Sequence, residues 1–382
     1  MSVMIYLDNA ATTLKKPECV RKAVYEAMGT LGNYGRGGHG ITLETSRKIY
    51  EAREVIADFF GLGDPSGVVF TCNATEALNT VIRGLFKPGE HVVTTALEHN
   101  SVLRPLYEME KAGVLLTILP ADENGNISYD EMEKAIGDKT RAVICTHASN
   151  VTGNLLDIRR IGEICRRKGI LFLLDASQTA GSVPIRMEEC GIDVLCFTGH
   201  KGLMGPQGTG GICVGEEVEI RPLKTGGSGI HSFEREHPAI MPGRLEAGTL
   251  NGHGIVGLCS AVQYVKEIGV ENIGAHERKL ARAFYEAVRE IPGIKVYGDF
   301  TCRERAAIVT LNMGDYDSAQ VSDELSCTYE IYARSGAHCA PLMHEALGTR
   351  EQGAVRFSFS WFNTMEEAEQ TAKALRELAA ED

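Results

Sequence analysis

The stretch RAVICTHASNVTGNLLDIRRIGEICRRKGILFLLDASQ (141–178) decides the fold class. Its two ends, RAVICTH (141–147) and ILFLLD (170–175), are short continuous apolar runs of the kind that form buried strands. Between them, residues 158–167 repeat their apolar side chains at helical spacing. A strand, a helix and a second strand in this order predict a pair of parallel strands joined by a crossover helix.

The same alternation continues outward on both sides of this stretch. Residues 42–60 have helical spacing, and another helical stretch begins at Glu76. Further strand-like runs are GVVFT (67–71), HVVTTA (91–96), VLLTIL (114–119) and DVLCFT (193–198). Apolar strands separated by helices are typical of a parallel sheet that is covered on both faces. The sequence therefore predicts an α/β fold with a large, mostly parallel sheet flanked by helices.

The pattern changes in the last third of the chain. Residues 252–291 have the spacing of one or two long helices, and a mixture of strand-like and helical runs follows. These runs are IKVYG (294–298), AAIVTLNM (306–313), a helix from Ser318, YARS (332–335), VRFSFSW (355–361) and a helix over 364–380. We predict a large domain over 15–254 and a smaller C-terminal α+β domain over 255–382, on which segment 1–14 packs. The boundary is expected between 250 and 290.

Composition excludes several classes of protein. The 382 residues are 43% hydrophobic and 24% charged, which is ordinary for a packed globular chain and unlike a disordered, collagenous or coiled-coil one. The formal net charge of −12 disfavours a nucleic-acid partner, because such affinity rests on clustered Lys and Arg.

The sequence also indicates where the protein works. No apolar run reaches the roughly 18 residues of a membrane-spanning helix, and the start MSVMIYLDNAATT lacks a secretory pattern, so we expect a cytoplasmic protein without a membrane partner. Eleven cysteines occur without a C-x-x-C pair, which predicts reduced thiols and no metal site. Most are expected to be core residues.

Polar residues follow five of the predicted strands. CNATE (72–76) follows the first, with Thr75 as the expected N-cap of a helix whose free N–H groups suit an anion. The other four strands are followed by EHN (98–100), SN (149–150), DASQ (175–178) and GHK (199–201). Ligands of parallel sheets bind at the carboxyl ends of strands, so these residues indicate one site.

The chemistry of this set favours pyridoxal phosphate as cofactor. A buried Asp175 needs a cationic partner, such as a pyridinium nitrogen. A desolvated Lys201 would have a lowered pKa and could form a Schiff base, and a helix start would hold the phosphate. His99 is placed to lie over an aromatic ring, although a lone histidine would fit a structural role in the core.

Competing motifs fail on their context. Residues 35–40 fit G-x-G-x-x-G, but no strand precedes them, so we interpret them as a flexible turn. The glycine-rich residues 205–211 lack the Lys-Ser/Thr pair of a P-loop. Neither H-E-x-x-H nor G-x-S-x-G occurs.

In its motifs the sequence resembles the class V, fold type I pyridoxal-phosphate enzymes, and among them the cysteine desulfurases. The resemblance covers nearly the whole chain, and its specificity comes from the order and spacing of several motifs. These are YLDNAATT (6–13), NATEALN (73–79), EHNS (98–101), SNVTGN (149–154), DASQ (175–178), TGHKGLMGPQGTGG (198–211), EAGTLN (246–251), ARSGAHCAP (333–341) and VRFSFSWFNT (355–364).

The resemblance implies a role for each candidate site residue. Lys201 would hold pyridoxal phosphate and act as the catalytic base, Asp175 would pair with the pyridine nitrogen, and His99 would stack on the ring as a further catalytic residue. The other cofactor contacts implied are Ala74, Thr75, Asn150, Gln178, Thr198 and His200. Thr249 would complete the phosphate site of the other subunit, which implies a homodimer. The substrate contacts implied are Asn150, Arg334 and Arg356, with Arg356 forking onto the carboxylate.

Cys339 is the thiol that the resemblance singles out. The stretch ARSGAHCAP (333–341) is similar to the compact cysteine loop of the group II, suf-type branch that includes selenocysteine lyases. Arg334 and His338 are expected to favour the reactive thiolate by their positive charge. Many group II members have His-His before the cysteine and Gly-Thr-Thr-Glu at the phosphate, where this chain has Ala337-His338 and Asn73-Ala74-Thr75-Glu76.

The implied reaction converts L-cysteine to L-alanine. Lys201 removes the α-proton, Cys339 takes the substrate sulfur as a persulfide, and an acceptor protein or small thiol then removes it. The departures from the group II pattern leave L-selenocysteine open as a substrate. A class V aminotransferase, a β-lyase and a non-catalytic sulfur-relay protein are the remaining alternatives.

Overall fold

The structure is a computed structural model that describes residues 4–35, 37–229 and 233–380. Its helices in chain order are α1 Glu18–Thr30, α2 Gly40–Phe60, α3 Ala74–Leu85, α4 Asn100–Lys111, α5 Tyr129–Ala135, α6 Ile158–Lys168, α7 Met187–Cys190, α8 Gly252–Ile268, α9 Val270–Val288, α10 Ser318–Tyr329, α11 Pro341–Ala346 and α12 Met365–Leu378. Its strands are β1 Ile5–Tyr6, β2 Val68–Thr71, β3 His91–Thr95, β4 Leu115–Leu119, β5 Thr140–Thr146, β6 Leu171–Asp175, β7 Val194–Thr198, β8 Gly210–Val214, β9 Ile294–Tyr297, β10 Ile308–Met313, β11 Ile331–Tyr332 and β12 Val355–Ser358.

The large sheet has seven strands in the order β2-β8-β7-β6-β5-β3-β4. The five strands from β7 to β4 run parallel, and β8 is antiparallel to both β7 and β2. In the register of the parallel strands Thr146 pairs with Asp175, and Asp175 pairs with Cys196. The ends of β5, β6 and β7 therefore lie side by side. The predicted α/β class is confirmed, and so is the mostly parallel sheet.

Helices cover both faces of this sheet because its strand side chains alternate between two cores. On one face Ala142 and Ile144 of β5 pack in the core that holds α3 and α4. On the other face Val143 and Cys145 pack in the core that holds α2, α6 and α8. The near-continuous apolar strands of the sequence are thus explained by burial on both sides.

A second core lies around a three-stranded antiparallel sheet in the order β12-β10-β9. Helices α9 and α12 pack on it through Leu280, Phe284 and Leu375. The short strand β1 pairs in parallel with β11, and Ile5 and Leu7 are buried in this same core. The first residues described are therefore held by the C-terminal part of the chain.

The two long helices predicted over 252–291 are separate helices, α8 and α9. Gly269 lies between them with φ of 93°, a conformation that glycine adopts without strain. Ile255, Leu258 and Val262 of α8 pack in the core of the large sheet, whereas α9 packs in the second core. The two cores thus meet near Gly269. The division of the chain at 254/255 stays a prediction.

Candidate active site

A cavity of about 210 Å³ opens at the carboxyl ends of the parallel strands. Asn150, Asp175 and Thr198 reach it because they end, or closely follow, the neighbouring strands β5, β6 and β7. The predicted site residues that line this cavity are Ala74, Thr75, His99, Asn150, Asp175, Gln178, Thr198, His200, Lys201, Arg334 and Arg356. The structure therefore brings these predicted residues together.

Asp175 is the last residue of β6, and its carboxylate is buried. One carboxylate oxygen accepts hydrogen bonds from the main-chain N–H and the hydroxyl of Ser177. Burial raises the pKa of Asp175, and the hydrogen bonds from Ser177 and the charge of Lys201 oppose that rise. The side chain of Gln178 donates to the carbonyl oxygen of Ala10 at 3.2 Å, which connects this strand end to the N-terminal segment.

Lys201 lies in the turn after β7. Burial and the Arg356 guanidinium lower the pKa of its amine to about 8, while Asp175 acts in the opposite direction. The main chain of this turn is held by the N-terminal segment, since the Thr13 hydroxyl donates to the carbonyl oxygens of His200 and Lys201 at 2.8 and 2.9 Å. A lysine with this pKa keeps part of its population as a neutral, nucleophilic amine at neutral pH.

Two polar atoms beside Lys201 are buried and have no hydrogen-bond partner among the residues that the structure describes. They are the hydroxyl oxygen of Thr198 and Nδ1 of His200. Burial lowers the pKa of His200 to about 4, so its ring is neutral at pH 7. Buried polar atoms normally have hydrogen-bond partners, and these two therefore mark a place for a polar ligand.

The helix beside this place is α3, and its cap differs from the prediction. The side chain of Asn73 accepts a hydrogen bond from the main-chain N–H of Glu76 at 2.9 Å, so Asn73 is the N-cap. Thr75 is the second residue of α3, so the expectation that it caps this helix is wrong. Its hydroxyl is therefore available for other contacts, and it lies 2.7 Å from the Ser101 hydroxyl.

His99 is the N-cap of α4 and lines the cavity from the side of β3. Its Nδ1 accepts a hydrogen bond from the main-chain N–H of Ser101 at 3.0 Å. Burial, with the charges of Lys201 and nearby arginines, lowers the pKa of His99 to about 4. The neutral ring therefore carries its proton on Nε2. Ser101 connects His99 to Thr75 through its hydroxyl.

Arg356 is only 1% exposed and comes from β12 of the second sheet. Its two terminal nitrogens donate to the carbonyl oxygen of Asn150 at 2.9 Å and to the Asp8 carboxylate at 3.0 Å, and its Nε has no partner in the described part of the chain. Burial lowers the pKa of Arg356 to about 10, which leaves it charged at pH 7. Arg334 pairs with it through the main chain, so two cations line one side of the cavity.

Cys339 lies beside the cavity and does not line it. The side chain is exposed, and its carbonyl oxygen accepts from the main-chain N–H of Asn100 at 2.7 Å. Its neighbour His338 is 3% exposed, and burial with the charge of Arg356 lowers the pKa of His338 to about 2. The expectation that His338 supplies positive charge beside Cys339 is wrong, because the buried ring is neutral.

Thr249 is exposed and does not line the cavity of its own chain. Its segment is anchored nearby by Glu246, which pairs with the buried Arg53 and accepts from the main-chain N–H of Phe70 at 2.7 Å. Its role toward a second subunit stays a prediction.

The sequence analysis gave no individual role to four residues near the site. Ser101 and Ser177 bind His99 and Asp175, and Asp8 binds Arg356. Glu98 is fully buried beside the site, and burial raises its pKa to about 8. All four stand inside motifs that the sequence analysis quoted, so the motifs were the available signal.

Other features of the described residues lie apart from this cavity. A larger groove of about 1210 Å³ is lined by residues of α9 and of the segment that follows β9, and it contains none of the predicted site residues. Within residues 4–35, 37–229 and 233–380, three or more His, Cys, Asp or Glu side chains are nowhere grouped to hold a metal ion. None of the helices in those ranges combines the length and apolar character needed to cross a bilayer.

Comparisons with known proteins match nearly the whole chain. A probable cysteine desulfurase of Methanothermobacter thermautotrophicus is 35% identical over 381 residues, which are 98% of this chain and 94% of the relative. A probable cysteine desulfurase of Pyrococcus abyssi is 35% identical over 393 residues, with the same shares of 98% and 94%. The solved apo structure of a cysteine desulfurase from Thermococcus onnurineus NA1 superposes with a TM-score of 0.91 at 33% identity, over 99% of this chain and 95% of that one.

These likenesses extend over the large sheet, the second sheet and the cavity between them. They confirm the predicted fold, the pyridoxal-phosphate fold type I. The family model described as aminotransferase class-V matches residues 5–371, from β1 into α12. Since that match contains every predicted site residue, this chain belongs to the class-V aminotransferase family.

Proposed function

We propose that this protein is a pyridoxal-phosphate-dependent cysteine desulfurase that converts L-cysteine to L-alanine. The observation that carries the proposal is the meeting of Lys201, Asp175, His99 and Arg356 on one cavity, with Cys339 on the loop beside it. The names of the relatives at 35% identity favour this activity over a class V aminotransferase or a non-catalytic relay protein. L-Selenocysteine would fit the same contacts, since only its chalcogen differs.

The residues of the cavity fit the proposed cofactor. The unpartnered Thr198 hydroxyl and His200 Nδ1, with the first N–H groups of α3, would hold its phosphate beside the Thr75 hydroxyl. The buried Asp175 carboxylate would accept a hydrogen bond from the pyridine nitrogen, and Lys201 would hold the aldehyde carbon. When bound, the cofactor supplies an electron sink next to the substrate α-carbon.

The protein residues then have separate tasks around the substrate. Arg356 would bind the substrate carboxylate through its unpartnered Nε and the nitrogen that now contacts Asp8. Lys201, with its pKa near 8, would take the α-proton. His99 would cover the ring as a neutral imidazole, because its pKa lies far below pH 7.

Sulfur transfer would occur at Cys339. Its thiolate would attack the substrate sulfur, forming a sulfur–sulfur bond while the carbon–sulfur bond breaks and leaves its electron pair on the three-carbon fragment. Protonation of that fragment gives alanine, so one cysteine and one thiol yield one alanine and one persulfide. A thiol of an acceptor protein or a small molecule would remove the outer sulfur and regenerate Cys339.

The proposal includes a homodimer in which Thr249 reaches the phosphate site of the partner. Two features support it. Thr249 is exposed on its own chain, and the neighbouring helices α1 and α2 carry apolar side chains that the described residues leave exposed. These are Tyr25, Met28, Ile41, Leu43 and Tyr50.

Mass analysis after incubation with cysteine tests the nucleophile. Loaded protein should gain one sulfur atom on Cys339, and Cys339→Ser should form no persulfide and release no sulfide while the cofactor absorbance remains. Cys302→Ser and Cys327→Ser are matched controls, because both cysteines are also exposed and lie outside the cavity lining. Unchanged desulfuration by Cys339→Ser would show that the assigned nucleophile is wrong.

Borohydride reduction tests the cofactor site separately. Reduction of the loaded protein should fix the cofactor on Lys201, as found by peptide mapping. A label on another lysine, or a protein that takes up no pyridoxal phosphate, would overturn the proposed cofactor role.

A further inference from the structure

The main chain on which Cys339 stands has an unusual conformation. His338 has φ of 51° and Cys339 has φ of 57°, so two consecutive residues with side chains lie in the left-handed region. Such a conformation persists only where the surrounding structure holds it. The contacts that hold these two residues therefore set the place of the thiol.

Two of these contacts come from segments that follow strands of the large sheet. The side chain of Asn150, after β5, donates to the carbonyl oxygen of His338 at 2.7 Å. The main-chain N–H of Asn100, at the start of α4, donates to the carbonyl oxygen of Cys339 at 2.7 Å. Both peptides of the loop are thus fixed against the edge of the cavity.

The third contact is made by the ring of His338, a residue that lines the cavity. Its Nε2 lies 3.0 Å from the carbonyl oxygen of Arg334, and its Nδ1 lies 3.1 Å from Nε2 of His344. Nδ1 of His344 in turn lies 2.7 Å from the hydroxyl of Thr349. All three side chains are at most 3% exposed, and neither His344 nor Thr349 lines the cavity.

The donor and acceptor in each of these hydrogen bonds can be assigned, starting from the carbonyl oxygen of Arg334. The carbonyl oxygen of Arg334 only accepts, so Nε2 of the neutral His338 ring carries the proton and Nδ1 accepts. His344 must then donate from Nε2, which leaves its Nδ1 to accept from the Thr349 hydroxyl. Replacement of the Thr349 hydroxyl, the first donor in this series, would leave the buried Nδ1 of His344 without a partner.

We propose that His344 and Thr349 are positioning residues for the Cys339 thiol: through the ring of His338 they hold the left-handed main chain of residues 338–339. The inference rests on the proposed function, because it takes Cys339 as the sulfur acceptor. It assigns a task to two residues that touch neither the cavity nor the thiol.

Paired variants test the proposal. Thr349→Val keeps the shape of the side chain and removes the donor, whereas Thr349→Ser keeps the hydroxyl. We expect Thr349→Val to lower kcat for alanine formation about tenfold with KM for cysteine unchanged, and Thr349→Ser to be close to the native protein. His344→Leu should behave like Thr349→Val, and His344→Gln, which keeps a donor near the Nε2 position, should retain most of kcat.

Hydrogen exchange provides a readout that does not depend on activity. In Thr349→Val and His344→Leu the main-chain N–H groups of Asn100 and Ala340 should exchange about tenfold faster, while those of β5 and β6 exchange as in the native protein. If one variant fails to fold by circular dichroism, the other still decides. Native exchange and native kcat in a folded variant would overturn the inference. If the proposed function is wrong, Cys339→Ser will still desulfurate cysteine. In that case the hydrogen-exchange rates alone test whether His344 and Thr349 hold residues 338–339.

Discussion

Arg356 shows how one side chain can serve both the structure and the proposed substrate. Its planar guanidinium reaches Asn150 and Asp8 at the same time, and none of the described residues contacts its Nε as a hydrogen-bond partner. Lysine has the charge without this set of fixed donors. We expect Arg356→Lys to raise KM for cysteine by about 10- to 100-fold, the equivalent of one charged hydrogen bond, with a smaller effect on kcat. Steady-state kinetics of alanine formation measures both constants. Arg303→Lys, at an exposed position, should leave KM unchanged, and an equally small effect at Arg356 would exclude it as the carboxylate contact.

Glu277 is a buried carboxyl on α9, and burial raises its pKa from 4.5 to about 8. The folded state therefore binds a proton that the unfolded state loses above pH 4.5. The stability contributed by this proton is complete below that pH and is lost as the pH rises to about 8. Glu277→Gln should become more stable than the native protein by about 1–3 kcal/mol between pH 5 and pH 8, with no further gain above that.

Urea unfolding at a series of pH values measures this difference. The exposed Glu351 provides the control, because Glu351→Gln should follow the native pH profile. Parallel profiles for Glu277→Gln and the native protein would contradict the assignment of a protonated Glu277 in the folded state.

At the scale of elements, α6 and the last residue of α7 approach each other closely at Gly162. A Cβ atom on Gly162 would lie 1.8 Å from the carbonyl oxygen of Cys190. We expect Gly162→Ala to lower the free energy of unfolding by about 1–3 kcal/mol, because one of the two main chains must move. A Cβ atom on Gly29 of α1 would meet no described atom within 4 Å outside the main chain of its own helix, and Gly29→Ala should instead raise the free energy of unfolding by up to about 1 kcal/mol. The denaturant midpoints of the two variants measure these changes. An unchanged midpoint for Gly162→Ala would show that the helix can shift without loss of stability.

The elements also show what could be predicted from the sequence. The parallel strands were found because burial on both faces makes them continuous apolar runs, and their polar ends gave most of the cavity lining. Strand β8 was missed because Gly210 and Gly211 weaken a five-residue pattern. Asn73 and Thr75 are both good caps, and only the main-chain geometry selects Asn73. The neutral state of His338 depends on burial by distant residues, which no local pattern contains.

At the scale of the whole molecule, the predicted homodimer concerns the surface formed by α1 and α2. Tyr25 is 80% exposed and Met28 is 67% exposed, which is costly for a surface that faces water. We expect the protein to sediment as a dimer at micromolar concentration and Tyr25→Glu to shift it toward the monomer. Leu115→Glu is the control, since Leu115 is an exposed apolar residue on β4 at the far edge of the large sheet. A native protein that sediments as a monomer would contradict the prediction.

The pairing of the first strand with the last part of the chain has a consequence for biosynthesis. The main-chain N–H of Ala10 donates to the hydroxyl of Ser358, 348 positions later, and Asp8 meets Arg356 across the same span. The ribosome therefore synthesises all strands of the large sheet long before it synthesises β12. We expect the nascent polypeptide to carry an unfinished pocket during most of its elongation, and the pocket to mature only when the newest residues have folded back on the oldest.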